Sequence, residues 1–184
     1  MMLMGRQSVF KLEVVSVRLV RDIPLYSEVE ITTPEEAVSL VGETLCGMDR
    51  EIVCVLNIGS DGRPINCNFA SVGALNYATV HPRELLKASI LSNAAGMLLV
   101  HNHPTQNLSP SKEDVRITDR MQKLCDLVGI PLMDHIIVGS DNREYFSFKE
   151  KSIMKNACIN YATNPQYLDW EKDAEHTGKG VRER

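Results

Sequence analysis

His101-Asn102-His103-Pro104, followed after a polar loop by Ser111-Lys112-Glu113-Asp114, is the stretch on which the reading of this chain turns. The residues before it, Met97-Leu98-Leu99-Val100, are apolar at every position. That pattern predicts a strand from Met97 to His101, covered on both faces. In a strand, residues i and i+2 point to the same side. His101 and His103 can therefore reach one ion while Asn102 points away from it. Pro104 fixes its own φ and has no N–H to donate, so the strand stops there. Thr105 to Pro110 then leads into a helix that begins near Ser111. Asp114, in the first turn of that helix, can fold back toward the imidazoles as a third ligand. Three protein ligands and one open position are the arrangement of a catalytic Zn²⁺ rather than a structural one. The same Ser-x-x-Asp spacing also suits a helix cap and its partner three residues on.

Working outward, Thr33-Pro34-Glu35-Glu36 predicts a helix start, with a hydroxyl cap, a proline at the first position and acids in the first turn. Ala37, Val38, Leu40, Val41 and Leu45 form its inward stripe, and it ends near Gly47. A strand follows from Glu51 to Ile58, and a second returns from Ile65. Asp61-Gly62 between them suggests a hairpin turn, and Pro64 argues for a loop longer than two residues. His81-Pro82 opens a second helix that continues to about Ala95, with His81 in a capping or loop role. The helix from Ser111 to Val128 carries Val115, Ile117, Met121, Leu124 and Leu127 near helical spacing. Strands at Leu132–Val138 and Tyr145–Phe148 complete an α/β order with a mixed sheet. His135 reads as a core histidine bonded to Asp134 or to backbone. A role in orienting a metal ligand is the alternative. Neither His81 nor His135 joins the metal set.

The quoted motif, together with Val80-His81-Pro82-Arg83-Glu84, Ala94-Ala95, Pro110-Ser111 and Leu132-Met133-Asp134-His135-Ile136-Ile137-Val138-Gly139, resembles the JAMM motif of the JAB1/MPN metallopeptidase family. The match is to its bacterial RadC-like branch and spans roughly residues 33 to 150. Two departures stand out. Thr105-Gln106 stand where the branch usually has Ser-Gly, and the first thirty-odd residues leave little room for the helix-hairpin-helix region of longer members. The resemblance implies a three-layer, cytidine-deaminase-like MPN core over residues 33–155. Residues 1–32 are then an extended N-terminal segment, with a strand or hairpin over Val9–Val20, and residues 156–184 a polar C-terminal tail. It implies Zn²⁺ held by His101, His103 and Asp114, Glu51 as the base acting on water, and Ser111 as donor to the developing oxyanion. Ser71-Val72-Gly73 matches a family position near the cleft. The implied reaction is hydrolysis of a peptide or isopeptide bond in a peptide or protein substrate. The alternative is a non-catalytic or accessory module in DNA repair or recombination, acting through a protein partner.

Composition narrows the field. At 184 residues the chain is long enough for a real core, and 43% hydrophobic with 24% charged residues is the balance of a soluble globular protein. A net charge of −4 supplies no electrostatic footprint for direct nucleic-acid binding. No apolar run approaches the roughly 20 residues of a membrane span, and Met1-Met2-Leu3-Met4-Gly5-Arg6 is too short for a signal-peptide core. Cys46, Cys54, Cys67, Cys125 and Cys158 are scattered and odd in number, which predicts reduced thiols in a cytoplasmic protein. Cys54 and Cys67 are expected to behave as small buried hydrophobes. A zinc deaminase would need His-x-Glu with Pro-Cys-x-x-Cys, and the chain has neither.

Overall fold

The computed structural model describes residues 16, 18–20, 30–72, 81–105 and 107–154. Most of the expected Val9–Val20 element, Gly73, Gln106 and the tail aromatics Tyr161, Tyr167 and Trp170 lie outside these residues. The elements run α1 (Pro34–Cys46), β1 (Ile52–Ile58), β2 (Pro64–Val72), α2 (Pro82–Leu91), β3 (Gly96–Asn102), α3 (Lys112–Val128), β4 (Leu132–Val138) and β5 (Tyr145–Ser147).

Each helix starts where its cap chemistry dictates. Thr33 and Glu36 form a reciprocal capping box at α1, with the Glu36 carboxylate accepting from the Thr33 N–H at 2.9 Å. His81 caps α2, its Nδ1 accepting from the Arg83 N–H at 3.3 Å. Ser111 caps α3, which ends at Gly129 in the left-handed conformation (φ 76°) that glycine adopts without a steric penalty. Helix α2 stops four residues short of the expected Ala95. The Ser92 hydroxyl donates to the Ala88 carbonyl at 2.6 Å, and Asn93 turns the chain at a φ of 51°. Gly59 to Arg63 form the loop between β1 and β2, closed by the Gly59 N–H donating to the Arg63 carbonyl at 2.8 Å.

The sheet order is β2-β1-β3-β4-β5. All its pairs are antiparallel except β3 with β4, whose parallel register is connected through α3. Strand parity divides the core in two. Cys54, Leu56, Leu98, Val100, Ile136 and Val138 pack beneath Ala37, Val38, Val41 and Leu45 of α1. Val53, Val55, Met97 and Leu99 pack on the other face against Leu85 of α2 and Met121 and Cys125 of α3. The result is a helix–sheet–helix sandwich, which puts His101 on the α2/α3 side and Asn102 on the α1 side.

The inward face of α3 keeps the expected Met121, with Ile117 and Leu124 packed at its margin, but not Val115 or Leu127. Its buried residues are Asp114, Thr118, Met121 and Cys125, whereas Val115 and Leu127 are 45% and 57% exposed. Two polar residues occupy the stripe because they have partners beneath it, described below. No described helix is long and apolar enough to cross a membrane. Cys46, Cys54, Cys67 and Cys125 are free thiols. Cys54 is fully buried and Cys67 partly so, with their sulfurs 2.8 Å apart across β1 and β2.

Candidate metal centre

Register brings the expected residues together. Strand β1 runs antiparallel to β3 with Val53 opposite His101, so the residue just before β1, Glu51, lies beside the end of β3. The loop after β3 brings the first turn of α3 back over the same strand end. Single ligand atoms from Glu51, His101, His103 and Asp114 all lie within 4.8 Å of one another. His101 Nε2 is 3.1 Å from His103 Nε2 and 3.3 Å from Asp114 Oδ1, and His103 Nε2 is 3.6 Å from Asp114 Oδ2. The His101 side chain is 1% exposed and that of His103 15%, so the site opens on the His103 side.

The two readings of Ser111-x-x-Asp114 coexist. The Ser111 N–H donates to Asp114 Oδ2 at 2.7 Å, and the Asp114 N–H donates to Ser111 Oγ at 3.1 Å, a capping box with aspartate in the glutamate position. This cap aims the carboxylate at the histidines rather than competing with them. Ser111 itself is exposed at the rim of the site.

Burial and charge set the protonation states. Burial pushes the Glu51 carboxyl up, and the Asp114 charge adds to this. Burial also works against the Asp114 charge, but the neighbouring His103 and His101 rings and the hydrogen bond from Ser111 hold that carboxyl well below the usual range. Burial pushes His101 down to about 4, so near neutral pH it is an uncharged imidazole and its contact with Asp114 is no ion pair. The adjacent Asp114 carboxylate raises His103 above its ordinary value. Two adjacent carboxyls are thus driven apart, one held ionised and one made a better base.

Two positioning contacts come from residues outside the metal set, Asn102 and His135. The Asn102 side chain accepts from the Ile52 N–H at 2.8 Å and donates to the Arg50 carbonyl at 3.0 Å. It therefore clamps the backbone on both sides of Glu51. Asn102→Ala is expected to strand the buried Ile52 N–H, at a cost of about 1–3 kcal/mol. It should lower the thermal midpoint and release the Glu51 segment. Calorimetric unfolding checks this, and an unchanged midpoint would contradict it. The second contact involves His135. Its side chain bonds to His101 and Thr118, whereas Asp134 receives only the His135 backbone N–H, at 2.7 Å. His135 is buried in the core as expected, but its ring contacts His101, the stated alternative, and not Asp134 or backbone; Asp134 turns to the α1 side and accepts from the Ser147 hydroxyl and the Lys149 N–H.

A family model described as the RadC-like JAB domain matches residues 31–153, which include every residue of this site. The chain belongs to the RadC-like JAB family. Among its relatives are proteins of the bacterial UPF0758 group. That of Desulforamulus reducens is 39% identical over 132 residues, 72% of this chain and 57% of the relative. That of Desulforudis audaxviator is 43% identical over 113 residues, 61% of this chain and 49% of the relative. That of Actinobacillus pleuropneumoniae is 39% identical over 121 residues, 66% of this chain and 54% of the relative. The matched part of this RadC-like chain spans about half the length of these curated relatives. The family's fold is the one observed here, a mixed five-stranded sheet flanked by three helices.

Proposed function

We propose that this RadC-like domain is a zinc-dependent hydrolase of peptide or isopeptide bonds, with His101, His103 and Asp114 holding the metal. The observation that carries the reading is the spacing of the three donors. Ligands about 2.0–2.1 Å from a tetrahedral ion lie roughly 3.3–3.4 Å from one another. The two imidazole nitrogens are 3.1 Å apart, and each faces one oxygen of the Asp114 carboxylate, His101 facing Oδ1 at 3.3 Å and His103 facing Oδ2 at 3.6 Å. Two neutral-capable imidazoles and one carboxylate also suit zinc by donor type.

When bound, zinc supplies Lewis acidity, bringing the pKa of water from about 15.7 toward 7 and polarising a carbonyl. The remaining work belongs to the chain. Glu51, made more basic by burial, takes the proton of the attacking water and returns it to the leaving amine. Asn102 holds the Glu51 backbone on both sides so that the carboxyl faces the site. Ser111 Oγ accepts from the Asp114 N–H, which leaves its own proton free to donate to the developing oxyanion. Losing one such donor typically costs about a hundredfold to a thousandfold in rate. The buried wall of His101 and the open side at His103 give a one-sided approach for an extended substrate.

The test is hydrolysis of peptide and isopeptide substrates in ¹⁸O-labelled water by the zinc-loaded chain, the chelated chain and the chelated chain given zinc again. The reading expects label in new carboxyl termini with the first and third only. Absence of cleavage by a fully loaded protein across both substrate types would contradict it.

The raised His103 gives the reading a pH signature. Binding requires the neutral imidazole, so protons compete with zinc as the pH falls through the raised His103 range. Affinity is expected to be greatest on the alkaline side and to fall on acidification, with protons released on binding below that range. Titration calorimetry in buffers of different ionisation enthalpy, from about pH 5.5 to 8, measures both. Constant affinity and no proton release would contradict it.

A further inference from the structure

The wall behind His101 contains two buried polar side chains for which hydrolysis itself has no use. His135 on β4 is 1% exposed and Thr118 on α3 is 3% exposed, so neither is open to substrate. His135 Nε2 lies 2.8 Å from His101 Nδ1. Its Nδ1 lies 2.6 Å from Thr118 Oγ1, and the Thr118 hydroxyl donates to the Asp114 carbonyl at 2.6 Å. The His135 ring is stacked on Phe148, with centroids 4.8 Å apart and planes 9° apart, so it is held in one orientation.

Counting protons along this chain leaves one arrangement. A hydroxyl carries a single proton, and that of Thr118 is engaged by the Asp114 carbonyl. Toward His135 the oxygen can therefore only accept, which places the His135 proton on Nδ1. A neutral imidazole has one N–H, so His135 Nε2 presents a lone pair and accepts from His101 Nδ1–H. His101 is then left with its lone pair on Nε2, the atom that faces His103 and Asp114. Reversing the order at any link would set two N–H groups or two lone pairs against each other in a buried, low-dielectric place.

We infer that His135, ordered by Thr118, is a positioning residue that fixes His101 in the tautomer whose Nε2 faces the metal. The inference rests on the reading of His101, His103 and Asp114 as metal ligands. His103 reaches the same tautomer by a shorter route. Its Nδ1–H donates to the Asn107 carbonyl at 2.7 Å, and a carbonyl can only accept. At His101 a histidine replaces the carbonyl, and a histidine can be either donor or acceptor until something orders it. Thr118 supplies that order. The relay ends on the carbonyl of Asp114, whose carboxylate is the third ligand, so the first turn of α3 sets both the ligand and the proton order of its neighbour.

The experiment combines two readouts on the full chain. Long-range ¹⁵N–¹H spectra of histidine-labelled protein, without metal at about pH 8, report which ring nitrogen carries each proton. Nδ1–H is expected on both His101 and His135, and an Nε2–H signal for His101 in the wild type would overturn the inference. Competition with a chromogenic zinc chelator gives the second readout. His135→Leu is expected to weaken zinc binding by about 10- to 100-fold. His135→Gln, whose amide oxygen can accept from His101 Nδ1–H, should restore most of that loss. Thr118→Val keeps the shape, removes the ordering hydroxyl and should fall between them. It also carries the test if His135→Leu does not fold. Unchanged zinc affinity in folded Thr118→Val and in His135→Leu would overturn the inference while leaving the metal centre intact. A wild type that binds no zinc would instead remove the ligand reading, and with it any positioning role.

Discussion

Glu51→Gln is expected to retain the fold and the metal and to lose hydrolysis. The amide has nearly the shape of the carboxylate, and the Asn102 clamp grips the backbone on either side of residue 51 rather than its side chain. The clamp therefore does not depend on the side-chain charge, which acts instead on the neighbouring His103. What disappears is the base, whose contribution is typically about 10²- to 10⁴-fold in rate. The neighbouring Asp114 cannot take over. Its carboxyl is held well below the usual range by His103, Ser111 and His101, and it is engaged with both histidines. Removing the Glu51 charge takes one anion away from the ion, so zinc affinity should fall only modestly while His101, His103 and Asp114 are kept. Steady-state hydrolysis and metal content, measured on the same preparation, decide the matter. Loss of metal would make Glu51 a ligand, and unchanged turnover would make it a bystander.

The double substitution His101→Ala/His103→Ala is expected to reduce bound zinc from about one per chain to background, because only one of the three ligands remains. Its effect on the metal-free fold should divide unevenly between the two sites. His101 is almost wholly buried and bonded to His135, so its loss leaves a cavity and an unpaired His135 nitrogen. His103 is partly open and bonded to a loop carbonyl, so its loss should cost the fold less. Elemental analysis of the two single variants and the double variant, alongside calorimetry without metal, separates these contributions. Equal zinc in the wild type and the double variant would show that the ion binds elsewhere.

The parts legible in the sequence were those set by local chemistry. Thr33-Pro34-Glu35-Glu36 and Ser111-x-x-Asp114 announced their helices because caps act over three residues. The apolar run before His101 announced a strand buried on both sides, and all seven positions of β3 are buried. The spacing of His101 and His103 announced convergence because strand parity is a two-residue rule. Glu51 was nominated by family resemblance, and the register of β1 against β3 places it among the other three. What the sequence left open is non-local. Asn102 was read only as pointing away, and its grip on Arg50 and Ile52 requires β1 to lie beside β3. The His135–His101 contact requires the parallel pairing of β3 with β4, which sets Leu99 against His135 and His101 against Ile137. In α3 the expected Ile117, Met121 and Leu124 do pack on the core, but Asp114 and Thr118 join them, buried by polar partners that a hydrophobic count cannot see.

X-ray absorption at the zinc edge on the loaded, desalted protein reads the ligand set directly. A nitrogen and oxygen shell only is expected, at about 2.0–2.2 Å, with the multiple-scattering signature of two imidazoles. That signature should be lost in His101→Ala/His103→Ala. A sulfur shell at about 2.3 Å would place the ion on thiols such as the Cys54–Cys67 pair, on the far side of the sheet, and would contradict that ligand set.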